Sequence, residues 1–206
     1  MEFTFPLLLL SILVLSAGPV APTPIRDSHG NPVLYGARYY LTASTDGNGV
    51  GMASFNGSCP STVFLQTFRF GPPVMLFPLD THGVKIRYAE EEEDLYIMFA
   101  QPYHCDQSTQ WKISEESGLV TTGGHMSDSF FNYARFRIVR YNTDPPILGK
   151  DYYEIWSCPS GSIICSQIGV RPGPDQALGR SDQPLPVLFT KVPEELGAST
   201  VMHPTA

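Results

Sequence analysis

Four cysteines, Cys59, Cys105, Cys158 and Cys165, and five scattered histidines, His29, His82, His104, His125 and His203, are the residues best suited to redox, nucleophilic or metal chemistry. Their spacing argues against such chemistry. No Cys-x-x-Cys pair occurs and no histidine stands at ligand spacing, so a zinc site has no basis. Gly-x-Ser-x-Gly, His-Glu-x-x-His and the P-loop pattern are all missing from the chain. Ser162, in the pair Gly161-Ser162, has no identifiable base. The sequence therefore predicts no catalytic residue, no metal and no cofactor. The cations of Val84-Lys85-Ile86-Arg87-Tyr88 alternate as on one exposed face of a strand. The acidic run Glu90 to Asp94 that follows reads as a solvated turn, since like charges repel inside a fold.

The cysteines acquire a meaning from the N-terminus. Residues 7 to 15 are an apolar run, followed by Ser16, Ala17, Gly18 and Pro19. This is the pattern of a secretory signal peptide, although Met1-Glu2-Phe3 lacks the usual positive charge. The leader is assigned to residues 1–21, with cleavage between Ala17 and Pro24. The run is too short to span a membrane, so no membrane partner is expected. A secreted chain with an even number of cysteines forms disulfides. Four cysteines allow three pairings; the close spacing of Cys158 and Cys165 suits a local bridge, with Cys59 and Cys105 left for a long-range one. Asn56-Gly57-Ser58 is a sequon, which makes Asn56 a glycosylation acceptor in a secreted protein.

The elements that must position these groups follow from composition. The chain has 206 residues, 42% hydrophobic and 12% aromatic, enough for the core of one domain. Charged residues make up only 16%, while 18 Gly and 19 Pro punctuate the chain, which suits short strands rather than long helices. A net charge of −7 excludes a phosphate-neutralising nucleic-acid binder. Strands are predicted near residues 37–44, 63–66, 73–77, 84–88, 95–99, 110–113, 119–122, 134–141, 152–157, 165–170 and 186–192. Turn chemistry separates nearly all of them, beginning with Asp27-Ser28-His29-Gly30-Asn31-Pro32 and Asp46-Gly47-Asn48-Gly49. The class is all-β, a sandwich or a closed barrel. A faint threefold echo links Tyr39-Tyr40-Leu41, Gln110-Trp111-Lys112-Ile113 and Tyr152-Tyr153-Glu154-Ile155, at uneven intervals.

Several of these segments together resemble one family. Asp27 to Leu34 with Gly36 and Arg38-Tyr39-Tyr40 is similar to the opening signature of the plant Kunitz-type soybean trypsin inhibitor family. The resemblance continues through Ser58-Cys59-Pro60, Leu95 to Phe99, Trp111-Lys112-Ile113 and Thr122-Gly123-Gly124. It runs on through Phe136-Arg137-Ile138, Tyr153 to Pro159, Cys165, Ile168-Gly169-Val170 and Pro184 to Phe189. It covers residues 25–192, leaving 193–206 as a flexible tail. It implies a β-trefoil of twelve short strands with pseudo-threefold symmetry, and the disulfides Cys59–Cys105 and Cys158–Cys165.

The resemblance also implies a function. In this family a loop between two strands enters the protease like a substrate. The matching segment is His82 to Tyr88, aligned without gaps from Leu95 to Phe99, which sets Lys85 as P1 and Ile86 as P1′. Gly83, Val84, Arg87 and Tyr88 flank the bond. A basic P1 suits trypsin-like serine endopeptidases, which carry a carboxylate at the base of S1. The family's loop-supporting Asn is matched here by Tyr35. The expected protein is a monomeric inhibitor, secreted to the apoplast or held in the vacuole. Alternatives within the family are a non-inhibitory storage or defence protein and an inhibitor of cysteine or aspartic proteases, subtilisin or α-amylase. The family's chlorophyll-binding motif is not matched, since Ser58-Cys59-Pro60-Ser61-Thr62 stands in its place.

Overall fold

The computed structural model describes residues 22–44, 46–54, 59, 61–79, 88–101, 107–125, 133–142, 149–159 and 164–193. The expected leader (1–21), most of the tail, the sequon at Asn56, Cys105 and the segment 80–87 lie outside them.

Twelve strands follow in order: β1 (Tyr39–Ala43), β2 (Val50–Ala53), β3 (Thr62–Leu65), β4 (Val74–Pro78), β5 (Asp94–Phe99) and β6 (Lys112–Ile113), then β7 (Val120–Thr121), β8 (Phe136–Arg140), β9 (Tyr153–Ser157), β10 (Ser166–Val170), β11 (Leu178–Arg180) and β12 (Val187–Lys191). Six of them close on themselves. Antiparallel pairing runs β9-β12-β1-β4-β5-β8 and returns from β8 to β9, so this ring has no free edge. The other six form three hairpins, β2/β3, β6/β7 and β10/β11. These meet pairwise through Thr62↔Thr121, Leu119↔Gly179 and Phe64↔Ala177, a triangle that caps one end of the barrel. Each third of the chain supplies two barrel strands and one cap hairpin, with the thirds opening at 39, 94 and 153. That is the β-trefoil.

Alternation puts the core inside the ring. Tyr39, Leu41, Val74, Leu76, Leu95, Ile97, Phe99, Phe136, Ile138, Tyr153, Ile155, Val187 and Phe189 are all buried there. Towards the cap, Trp111 lies between Phe99 and Phe136, with ring centroids 5.4 and 6.1 Å away. Elsewhere Phe189 meets the rings of both Tyr39 and Tyr153 edge-on, at 6.2 and 5.9 Å. The disulfide Cys158–Cys165 staples the β9–β10 connection, and Cys59 is also disulfide-bonded.

Two features correct the sequence reading. Strands β2 and β11 were not anticipated, because Val50-Gly51-Met52-Ala53 and Leu178-Gly179-Arg180 carry a glycine where strand signals expect a packing side chain. The threefold echo also assigned the wrong middle member. Tyr39 and Tyr153 do occupy equal places, but their counterpart is the start of β5, whereas Trp111 precedes β6.

Candidate functional site

The β4–β5 connection leaves the barrel at the end away from the cap. Its hairpin register closes at Pro78↔Leu95 and β5 opens at Asp94, so Leu79 and Tyr88 to Glu93 are the described residues outside the barrel strands. Lys85, Ile86, Gly83, Val84 and Arg87 lie in the undescribed part, while Tyr88 to Asp94, the downstream leg, is described.

That leg is clamped by the N-terminal arm. The Ala89 N–H donates to the Val33 carbonyl (2.7 Å) and the Ala89 carbonyl accepts from the Ile25 N–H (2.9 Å). The Glu91 N–H donates to the Thr23 carbonyl at 2.8 Å, and Leu34 bridges Tyr88. Ile25, Val33 and Ala89 are fully buried, so the joint is cemented by apolar contact as well. The Asp27–Pro32 turn makes the arm fold back on itself. The Asp27 carboxylate accepts the N–H groups of His29 (2.9 Å) and Asn31 (3.0 Å), and Gly30 takes the left-handed φ of 81°. The two tyrosines that open β1 and β9 tie the arm to the barrel. The Tyr39 hydroxyl accepts the Leu34 N–H at 2.9 Å, and that of Tyr153 accepts the Arg26 N–H at 2.7 Å.

The acidic run does turn at Glu91–Glu92, and Glu92 and Glu93 are exposed, but Glu90 is buried and Glu91 and Asp94 are ion-paired rather than solvated. Glu91 accepts from Arg140 at 2.7 Å, and Asp94 engages both Arg135 and Arg137. Arg140 also reaches Asp151. The guanidinium groups come from β8 and the residue before it, far along the chain, which is why the run's sequence did not reveal them. Glu92 adopts the uncommon φ of 63° and donates its N–H to the Ile138 carbonyl at 2.8 Å. The leg is thus held from the arm side and from the β8 side.

Glu90 is only 3% exposed, and burial raises its pKa, reinforced by a hydrogen bond to and the charge of Glu93. Beside the pair, the Tyr35 phenol is pushed up to about 12 by burial and by Glu93 and Glu90. Its hydroxyl is buried with no hydrogen-bond partner among the described residues. Because the folded protein holds the Glu90 proton more tightly than the unfolded chain, stability is full at low pH. It falls as pH rises through the window between the two pKa values. Glu90→Gln removes that loss while keeping a donor for Glu93. Its melting midpoint should exceed wild type at pH 7–8 and converge with it near pH 4. A difference independent of pH in thermal unfolding scans would refute this account.

Part of the surface around the joint is apolar. Leu34 and Tyr88, bridged to each other, are 37% and 39% exposed. Nearby, Tyr40 stacks on Phe70 at 4.7 Å, and a cavity of about 630 Å³ opens between Leu34, Arg38, Tyr40 and Pro73. Among the described residues, no three of His, Cys, Asp and Glu converge as a metal-binding set.

The family model described as trypsin and protease inhibitor, the Kunitz legume family, matches residues 25–191. A trypsin/chymotrypsin inhibitor of Alocasia macrorrhizos is 34% identical over 142 residues, covering 67% of this chain and 76% of that protein. An alpha-amylase/subtilisin inhibitor of Oryza sativa subsp. japonica is 30% identical over 198 residues, 90% of this chain and 94% of its own. The crystal structure of alocasin, a protease inhibitor from giant taro, superposes with a TM-score of 0.70 at 29% identity. The match covers 82% of this chain and 99% of that one.

Proposed function

This chain belongs to the Kunitz legume family of trypsin and protease inhibitors, and from that premise we propose that it inhibits trypsin-like serine endopeptidases in substrate-like fashion. Lys85 is P1 and Ile86 P1′, with Gly83, Val84, Arg87 and Tyr88 as the flanking contacts. The observation that carries the reading is the clamp at Ala89, four residues beyond Lys85, between Ile25 and Val33. A segment leaving so firm an anchor loses little entropy when it docks, and after cleavage its new end stays in place for religation. The Lys85 stem would line S1 and its ammonium meet the carboxylate there. On this proposal the leader sends the protein out of the cytosol, to the apoplast or the vacuole, where it acts as a monomer.

Titration of trypsin with the purified protein tests this directly. Activity should fall linearly to an equivalence point at one inhibitor per enzyme. Full activity at excess inhibitor would refute it. A second reading is favoured by the rice relative, named as an alpha-amylase/subtilisin inhibitor and aligned over nearly the whole chain. Subtilisin and α-amylase therefore belong in the same titration. Inhibition of neither, together with none of trypsin, would leave the storage or defence reading and inhibition of a cysteine or aspartic protease.

A further inference from the structure

Leu34 and Tyr88 share one face of the joint between the arm and the loop's downstream leg. They are direct partners in an antiparallel bridge, so their side chains project to the same side. The next pair along, Val33 and Ala89, is turned the other way and fully buried. Both outward side chains are large and apolar, yet exposed. Arg38 adds a charge beside them. It lines the same cavity as Leu34, along with Tyr40, and no Asp or Glu lines that cavity. The charges of Glu90 and Glu93 act on Tyr35, next along the chain, but neither carboxylate reaches the cavity lining. The Arg38 side chain is exposed and forms no ion pair among the described residues.

What covers this face follows from its position. Tyr88 is three residues beyond Lys85, so even a fully extended chain keeps the two within roughly 11 Å. A stable protease–inhibitor interface buries about 800 Å² on each partner and draws on about 20–30 residues a side. Gly83 to Tyr88 supply only a few of these, and the others must come from surface that adjoins the loop. Leu34 adjoins it through its bridge to Tyr88. It is also held in place before any partner arrives, because the Tyr39 hydroxyl accepts its N–H at 2.9 Å. Contact there costs little ordering.

We infer that Leu34 and Arg38 extend the inhibitory surface beyond the loop: Leu34 and Tyr88 together receive an apolar patch on the primed side of the bound endopeptidase, and Arg38 meets an acidic side chain beside that patch. The inference rests on Lys85 being P1, which makes Tyr88 P3′. It supplies selectivity that the P1 residue cannot. Every trypsin-like enzyme offers a carboxylate to Lys85, whereas the charge on its primed-side rim differs from one enzyme to another and is read by Arg38. A rim charge acts chiefly on the association rate and its salt dependence, and an apolar contact on dissociation. A second copy of this chain fits the face less well. A two-fold contact would set this surface against itself, with Arg38 cations and no acid from either cavity lining.

The test measures association and dissociation rates of the mature protein with two trypsins, one anionic and one cationic, at low and high salt. Leu34→Ser should weaken inhibition of both by about five- to thirtyfold, mainly through faster dissociation. Arg38→Glu should slow association with the anionic enzyme by about three- to tenfold at low salt and by less at high salt. With the cationic enzyme it should not slow association. The clamp's bonds run through Ile25, Val33 and Ala89 and not through the Arg38 side chain. A merely structural role for Arg38 would therefore not produce a salt-dependent effect that differs between the two enzymes. Both variants should still be cut first after Lys85. Wild type that inhibits, with either variant matching it on the anionic enzyme, would overturn this inference alone. Wild type that inhibits neither trypsin would overturn the inhibitor reading and this inference with it. An Arg38→Glu effect equal for the two enzymes, or a wild-type dimer that Leu34→Ser dissociates in sedimentation, would also overturn it.

Discussion

Replacing Lys85 with Ala is expected to weaken trypsin inhibition by roughly 30-fold to several thousand-fold, the equivalent of about 2–5 kcal/mol. The reason is the S1 carboxylate. In the complex it is desolvated, and without the ammonium it stays buried and unpaired, which costs more than the lost contact itself. Lys85→Arg should retain most of the inhibition, because the longer side chain serves the same acid. Lys85→Leu should shift preference towards chymotrypsin-like enzymes with an apolar pocket. Thermal unfolding should be the same in all three, since Lys85 belongs to none of the twelve strands that build the barrel and its cap. Dissociation should accelerate far more than association slows, as preformed loops lose affinity mainly through the off-rate. Incubation with catalytic trypsin at mildly acidic pH gives an independent check of register. The first cut should fall after Lys85; a first cut after Arg87, or Lys85→Ala inhibiting as well as wild type, would show the register to be wrong.

What the sequence disclosed and what it hid divide along one physical line. Strands Phe136–Arg140 and Tyr153–Ser157 alternate between buried and outward residues, and Leu95–Phe99 is an apolar run buried at all but Met98, so all three could be read directly. Turn residues at about ten-residue intervals marked their limits. Closure of the ring was not legible by spacing, because β1 pairs with β12 across nearly the whole domain. Only the family resemblance supplied it. The site divides similarly. Asp27–Pro32 could be read as a turn, but that it folds the arm over Ala89 depends on contacts between segments more than fifty residues apart. The acidic run was legible only in part: its turn and the exposure of Glu92 and Glu93 follow from composition, while the ion pairs of Glu91 and Asp94 were hidden for the same reason. Its partners lie 41 to 49 positions downstream, and hydrophilic composition says nothing about whether a carboxylate meets water or a guanidinium. Glu90, the most buried of the run, is the clearest case.

Gly169→Ala is expected to destabilise the fold by about 2–4 kcal/mol, although it adds a single methyl group. Gly169 is the fourth of the five β10 residues, opposite Gly179 of β11. A Cβ built there would lie 1.9 Å from the Gln183 carbonyl oxygen and 3.0 Å from the Ser181 Cβ. The first neighbour is backbone, so no rotamer change relieves the overlap. The 181–185 segment would have to lift off β10. It is held there by the Ser181 N–H on the Gln167 carbonyl and the Leu185 N–H on the Ile168 carbonyl, both at 3.0 Å. Moving it weakens both bonds and displaces buried Leu185, just before β12 enters the barrel. The expected signature is a melting midpoint lower by roughly 5–15 °C, with trypsin inhibition intact well below it, since the loop lies at the other end. Gly30→Asn provides the contrast. Gly30 also needs its glycine, but for its positive φ, and a Cβ there meets nothing within 4 Å. Asn tolerates the left-handed region, so that variant should stay within about 1 kcal/mol of wild type. If Gly169→Ala melted as close to wild type as Gly30→Asn, the flush packing of the β11–β12 connection on β10 would not be what this glycine serves.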